Sequence, residues 1–162
     1  MLSEIRAIRS LDQKSRAKLT EGCAELQEEY PIEEWLPVFL RVMPELRYAM
    51  SRKYVLFFAR GHSTEFPETL VAARAALSDK SWIVREDALA LLAQALDTNS
   101  LSEIEQLFSH ADVRTRQAAG RAAKAIETGD ASHFYVTSQD GETGWESIRR
   151  NMRAHSESSR SA

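Results

Sequence analysis

"SWIVREDALALLAQAL", from Ser81 to Leu96, and "DVRTRQAAGRAAKAI", from Asp112 to Ile126, write one pattern twice, first in leucine and then in alanine. Setting Arg85 on Arg116, an offset of 31 residues (116 − 85), also pairs Ala88 with Ala119, Leu91 with Ala122, Leu92 with Ala123 and Ala95 with Ile126, without a gap. These positions recur at steps of three and four, so each segment carries a stripe of small or aliphatic side chains along one side of a helix. The upstream halves agree. Asp79 lies five residues before Val84 and His110 five before Thr115, each after a helix with an apolar end, Leu77 or Phe108. Ser100 with Glu103 makes a capping box for the helix that precedes the second copy. The unit is helix, tight turn, helix, with a period in the range of helical repeat arrays.

The same reading extends upstream. Pro67 begins a helix that carries Leu70, Ala73 and Leu77 on one face, and Gly61 suits the C-terminal cap of the helix before it. That earlier helix is expected from about Glu45 to Arg60, with Leu46, Met50, Tyr54, Phe57 and Phe58 inward. Laid on the repeat through Arg47, it is a degenerate third copy at an offset of 38 (85 − 47). Trp35, Leu36, Phe39, Leu40 and Met43 mark a helix between Pro31 and Pro44. Ser10 with Gln13 opens a helix whose face holds Leu11, Leu19, Cys23 and Leu26, and "LSEIRAI" before it reads as another short one. At the far end, Thr143 with Glu146 caps a helix lined by Trp145, Ile148 and Met152. The serine-rich composition of 156–162 predicts a disordered tail.

"LSDKSWIVREDALALLAQA" resembles the HEAT repeat in its bacterial, PBS-lyase-type form, in Asp79, Val84, Arg85, Ala88, Leu91 and Leu92. "LFSHADVRTRQAAGRAAKAI" is similar in Arg116, Ala119, Ala122 and Ile126, and departs from it with His110 in the aspartate slot and Thr115 in the valine slot. The resemblance is clearest over 66–97 and 101–128, weaker over 32–61, and absent at both ends. It implies an all-α fold, an α-solenoid of stacked antiparallel helical hairpins, with a single domain over 1–155 closed by the C-terminal capping helix. It also implies an internal ladder of Asp79, Arg85 and Arg116 joining the turns of neighbouring repeats. With His110 in place of the acid, the second rung lacks its carboxylate.

Composition narrows the function classes. Lys+Arg 21 against Asp+Glu 24 leaves a formal net charge of −3, so no global positive field draws phosphate backbones. A lone cysteine, Cys23, and the absence of an N-terminal apolar run like a signal peptide point to a cytoplasmic protein. The most apolar window, Tyr54 to Ala59, is far short of the roughly 20 residues of a spanning helix. His62, His110, His133 and His155 show no metal-ligand spacing, Cys23 has no nucleophile context, and "SQDGETGW" lacks the spacing of a phosphate loop. No catalytic set, cofactor or metal is therefore expected.

Charge distribution says more. Glu21, Glu25, Glu28, Glu29, Glu33 and Glu34 run to Leu40 without a Lys or Arg, around Tyr30 and Trp35. Glutamates with aromatic anchors at Tyr30 and Trp35 suit a basic protein partner, and the plain alternative is a solvated helix face. The leading expectation is a non-enzymatic protein-binding module, such as an inhibitor or immunity protein that neutralises a basic toxin or nuclease through that acidic face. The alternative is a nucleic-acid-binding protein of the kind the HEAT-like DNA-repair glycosylases represent, using Arg114, Arg121, Lys124, Arg149 and Arg150. A bilin-lyase reading rests on the repeat resemblance alone.

Overall fold

A computed structural model of the chain describes Asp12, Lys14 and residues 16–135. The Ser10 and Gln13 box, Leu11, the segment 2–8, the turn 138–145, the closing helix with Trp145, Ile148 and Met152, Arg149, Arg150, His155 and the tail 156–162 lie outside the described residues. Among those described the chain is all helical. Seven α-helices run in order: α1 Arg16–Glu29, α2 Ile32–Val42, α3 Ala49–Ala59, α4 Glu68–Ala76, α5 Trp82–Gln94, α6 Leu101–Gln106 and α7 Val113–Thr128, joined by short 3-10 turns.

Local chemistry sets the boundaries. Pro31 enters α2 in extended conformation, with Glu33 and Glu34 in the first turn and Arg41 in the last, the order that the helix dipole favours. Pro37 lies inside α2 and removes one backbone bond without ending the helix. Burial of Trp35, Leu36, Phe39 and Leu40 on one face carries α2 through it. After Val42 the chain turns through Met43–Glu45 around Pro44. α7 opens on Asp112, whose carboxylate accepts from the Arg114 N–H, and closes on Gly129 at φ 69, the left-handed position that favours glycine. Leu96 takes the same position after α5, at φ 51, and both turns close with an N–H reaching five residues back, Asp97 to Leu92 and Asp130 to Ala125.

α5 is the centre of the packing. It lies against α3 on one side and α7 on the other, with α4 across it, while α6 packs on α7, α2 on α3 and α4, and α1 on α3. Nine of its side chains from Val84 to Ala93 are buried, which a helix needs when it has neighbours nearly all round. α7 buries only one face, Thr115, Ala118, Ala119, Ala122, Ala123, Ala125 and Ile126. This fits the two spellings of the pattern: α7 packs on α5, its short buried alanines permit a close approach, and α5, with neighbours nearly all round, carries the larger leucines.

Several expected details differ. α3 starts at Ala49 rather than Glu45, because the Pro44 turn occupies the intervening residues. Its buried face is Ser51, Arg52, Val55, Leu56 and Ala59, and Phe57 is 49% exposed, so the stripe is turned from the expected one. Gly61 sits in a 3-10 turn without positive φ, and Arg60 holds the cap position. The Ser100 and Glu103 box does not form. Ser100 is buried and its hydroxyl donates to the Asp97 carbonyl, while Glu103 accepts from Ser102. Phe108 is exposed, and Leu107 packs on the core in its place. No helix among the described residues is long and apolar enough to cross a membrane.

Candidate functional site

The turns that lead into α3, α5 and α7 do the same work with different residues. Each helix is preceded by a residue in extended conformation, Tyr48, Ser81 or Asp112. The N–H of each needs an acceptor, because the first N–H groups of a helix have none within it. Asp79 Oδ1 accepts from Ser81 at 2.8 Å and His110 Nδ1 accepts from Asp112 at 3.0 Å. Tyr48 donates at 3.0 Å to Oδ1 of Asp12, a residue from before α1. An arginine then closes each turn from inside its helix, reaching a carbonyl six residues back: Arg52 to Leu46 at 2.8 Å, Arg85 to Asp79 at 2.6 Å and Arg116 to His110 at 2.6 Å.

The same arginines link successive turns. Arg52 holds Asp79 with two bonds, Nε to Oδ2 at 2.7 Å and Nη2 to Oδ1 at 3.0 Å. Arg85 reaches Asp112 Oδ2 at 3.3 Å and Thr115 Oγ1 at 3.0 Å, and the Thr115 hydroxyl donates to that same carboxylate. The second rung therefore has its acid at Asp112, two residues after His110. Arg52 is a rung that the Arg47 alignment missed. Its spacing to Arg85 is 33 residues (85 − 52), and this register, rather than 38, places equivalent atoms together. Arg116 donates to the His110 and Ala111 carbonyls. Burial alone would push the Asp79 carboxyl up, but Arg52 and the Ser81 N–H outweigh it and hold it below the usual carboxylate range. Asp112 is lowered in the same way, by Arg114 and Thr115 against its partial desolvation.

Beside this ladder the turns enclose an open cleft of about 630 Å³. Arg47, Arg52, Lys80, Arg85 and Arg114 line it, with Asp112 as its one lining carboxylate, so cations outnumber acids five to one. Arg52 and Arg85 are buried in the ladder, whereas Arg47 and Lys80 are exposed and Arg114 is 54% exposed. Arg114 lies over the Trp82 ring at 4.2 Å, with Asp112 as a carboxylate partner, and Arg47 lies over the Tyr48 ring at 5.4 Å. The positive ends of α3 and α5 begin in this wall, at Ala49 and Trp82, and add to its field.

Glu21, Glu25, Glu28 and Glu29 on α1 and Glu33 and Glu34 at the start of α2 are all exposed. Their expected aromatic anchor is not. Trp35 is 2% exposed, packed against Phe39 and Phe58 in the core, and Tyr30 is partly buried against that core. The acidic face is thus glutamate without its tryptophan, because Trp35 falls on the inward side of α2 with Leu36 and Phe39.

Of the basic residues of the nucleic-acid alternative, Arg121 is committed within the protein, Arg114 partly so, Lys124 is exposed, and Arg149 and Arg150 lie outside the described residues. Arg114 stacks on Trp82 and pairs with Asp112, and Arg121 donates to the Phe134 carbonyl and to Glu86. A second depression of about 350 Å³ beside Arg121 holds Glu86 and Asp87 along with Arg60. Burial there raises the Asp87 carboxyl above its ordinary value despite Arg60 and Lys53. Cys23 is buried, and desolvation pushes its thiol up to about 12 against a lowering hydrogen bond with Tyr54. Among the described residues no three His, Cys, Asp or Glu side chains gather as a metal-ion site. Comparison of the chain with family models, curated proteins and solved structures finds no match.

Proposed function

We propose that this chain is a non-enzymatic, cytosolic protein-binding module, a solenoid of HEAT-like helical hairpins whose turn-side cleft takes an acidic segment of a partner protein. The observation that carries this reading is the charge of the cleft: Arg47, Lys80 and Arg114 are exposed in its lining beside the Tyr48 and Trp82 rings, while Arg52 and Arg85 are paired in the ladder with Asp79 and Asp112, on a chain whose net charge is −3. An overall acidic surface around a cationic cleft steers an acidic segment to that one place and repels it elsewhere. Arg114, 54% exposed and over the Trp82 ring at 4.2 Å, uses its Nε on Asp112 and offers its Nη donors to a ligand carboxylate.

The test is fluorescence anisotropy of a labelled decaglutamate peptide against the wild type and the pair Lys80→Glu with Arg114→Glu. Both residues are exposed, and because Arg114 also pairs with Asp112 a circular-dichroism melt of the variant checks the fold. Binding by the wild type that weakens at least tenfold in the variant, and weakens with added salt, supports the module. Equal binding by both would place the acidic peptide elsewhere and end this reading of the cleft.

A second reading keeps the acidic face as the binding surface, for a basic partner such as a toxin or nuclease that the protein neutralises. The six exposed glutamates from Glu21 to Glu34 favour it. Capture of a partner by the wild type that persists after Glu25, Glu28, Glu29 and Glu33 are changed to Lys would exclude it. DNA binding is the weakest of the three, since Arg121 is engaged with Glu86 and Phe134.

A further inference from the structure

We propose that the outer face of α3 carries a separate small-molecule site, which takes a ligand with a flat aromatic body and a single carboxylate. The site goes beyond the cleft reading above and shares no lining residue with the cleft.

The spacing along α3 carries the first half of the inference. Met50, Lys53, Tyr54, Phe57 and Arg60 fall at helical steps of three and four, so they share one side of the helix. The core takes the opposite side, Ser51, Arg52, Val55, Leu56 and Ala59. α3 therefore has a second stripe, largely apolar, that the fold leaves only partly covered: Met50 and Tyr54 are half-buried and Phe57 is 49% exposed. With Asp87 from α5, this stripe lines a depression of about 330 Å³, at the lower end of the roughly 300–1,000 Å³ of small-molecule sites. A lone exposed phenylalanine is ordinary on a protein surface. Here its ring stands in the wall of a depression, 6.3 Å from the centre of the Tyr54 ring, and offers an aromatic ligand a surface to pack on.

Charge decides the other end of the ligand. Two cations in the wall meet one carboxylate: Lys53 Nζ lies 3.6 Å from Asp87 Oδ2, and Arg60 Nη2 donates to Asp87 Oδ1. Arg60 is otherwise engaged within the protein, since its Nη1 donates to the Tyr135 hydroxyl at 3.3 Å and its guanidinium lies 5.4 Å from the centre of the Phe57 ring. Its Nε is buried and has no hydrogen-bond partner among the described residues. The cluster is thus short of one negative charge and one acceptor. Lys53, 38% exposed, is the member that an incoming anion meets. An incoming cation finds no free acid, because Asp87 is 6% exposed and already holds both basic side chains. An aromatic ring against Phe57 with its carboxylate on Lys53 satisfies the apolar wall and the surplus charge together.

The experiment titrates the full chain with naphthoate and with its neutral counterpart naphthamide, following backbone amides by NMR. Wild type, Phe57→Ala and Lys53→Met are compared, and thermal melts by circular dichroism check the fold. Phe57 is exposed, and Lys53→Met leaves Asp87 its Arg60 partner, so both variants keep the packing of α3. Naphthoate is expected to shift the amides of Met50, Tyr54 and Phe57 and to bind roughly threefold tighter than naphthamide or more, the scale of one partly exposed ion pair. Phe57→Ala should weaken both ligands by roughly fivefold, the scale of one aromatic contact. Lys53→Met should remove the advantage of naphthoate and leave naphthamide unchanged, a split that a general loss of structure does not produce. Amides that neither ligand moves, or unchanged affinity in Phe57→Ala, would overturn the site. Equal affinity of the wild type for naphthoate and naphthamide would overturn the carboxylate as the recognised group. Shifts confined to the amides of Lys80 and Arg114 would put the ligand in the turn-side cleft and overturn the α3 site as well.

Discussion

Replacing Arg85 with methionine isolates what the link between turns contributes. The variant keeps an unbranched stem of similar length, so the apolar burial around it changes little, and the loss falls on the guanidinium contacts. Arg85 is 7% exposed and donates to the Asp79 carbonyl at 2.6 Å, Thr115 Oγ1 at 3.0 Å and Asp112 Oδ2 at 3.3 Å. Asp112 retains Arg114 and Thr115, and Thr115 retains Asp112, so neither is left without a partner. The Asp79 carbonyl, in a part-buried turn, loses its charged donor; an unsatisfied buried acceptor costs about 1–3 kcal/mol, and this one falls toward the lower end. Adding part of the weakened Arg85 to Asp112 attraction gives about 2–3 kcal/mol for Arg85→Met, below the 3–5 kcal/mol of a fully orphaned buried charge.

Arg116→Met is the internal control. Arg116 makes the equivalent bond to His110 and another to Ala111, but has no turn beyond it among the described residues, and water can reach its acceptors; its loss should cost under about 1 kcal/mol. Urea unfolding followed by circular dichroism at neutral pH measures both, and the larger value corresponds to a fall in Tm of about 5–10 °C for a chain of this size. If Arg85→Met costs no more than Arg116→Met, the bonds between turns add nothing to stability and the ladder is only a consequence of packing.

Three other outcomes follow from the same geometry. Leu56→Ala, at a fully buried site on α3, should cost about 2–5 kcal/mol, and Phe57→Ala, at its exposed neighbour, under about 1 kcal/mol in the same urea assay; the reverse order would restore the face expected from sequence. Cys23, with its thiol pushed up to about 12, should resist alkylation at pH 8 in the folded chain and react fully in denaturant, so rapid modification under native conditions would contradict its burial. Asp79 has a folded pKa below its unfolded value, so its contribution is complete above about pH 4 and lost as pH falls through the folded value. Asp79→Asn should therefore show a shallower loss of stability between about pH 4 and pH 2 than the wild type, whereas Asp87, raised by burial, contributes with the opposite sign. An unchanged slope in stability against pH would remove Asp79 from the acid response.

Sequence periodicity by itself determined the helical class, the buried face of α7 and part of what α5 buries, because such faces are written by residues three and four apart on one helix, whereas α5 is buried nearly all round. Ala88, Leu91 and Leu92 and their counterparts Ala119, Ala122 and Ala123 were legible for that reason, and all are buried. α3 was not legible in the same way. Met50, Tyr54, Val55, Leu56, Phe57 and Phe58 spread apolar side chains round much of its circumference, so more than one face fits the period, and packing against α5 and α1 chose the one that carries Arg52 inward. Tertiary structure alone also decided the ladder and the cleft. Arg52 finds Asp79 27 residues away, Arg85 finds Asp112 at the same separation, and Asp12 reaches Tyr48 across 36. Such pairs leave no local period, since a carboxylate satisfies a turn equally well from two residues away or from another part of the chain, and only the packed helices fix which one arrives.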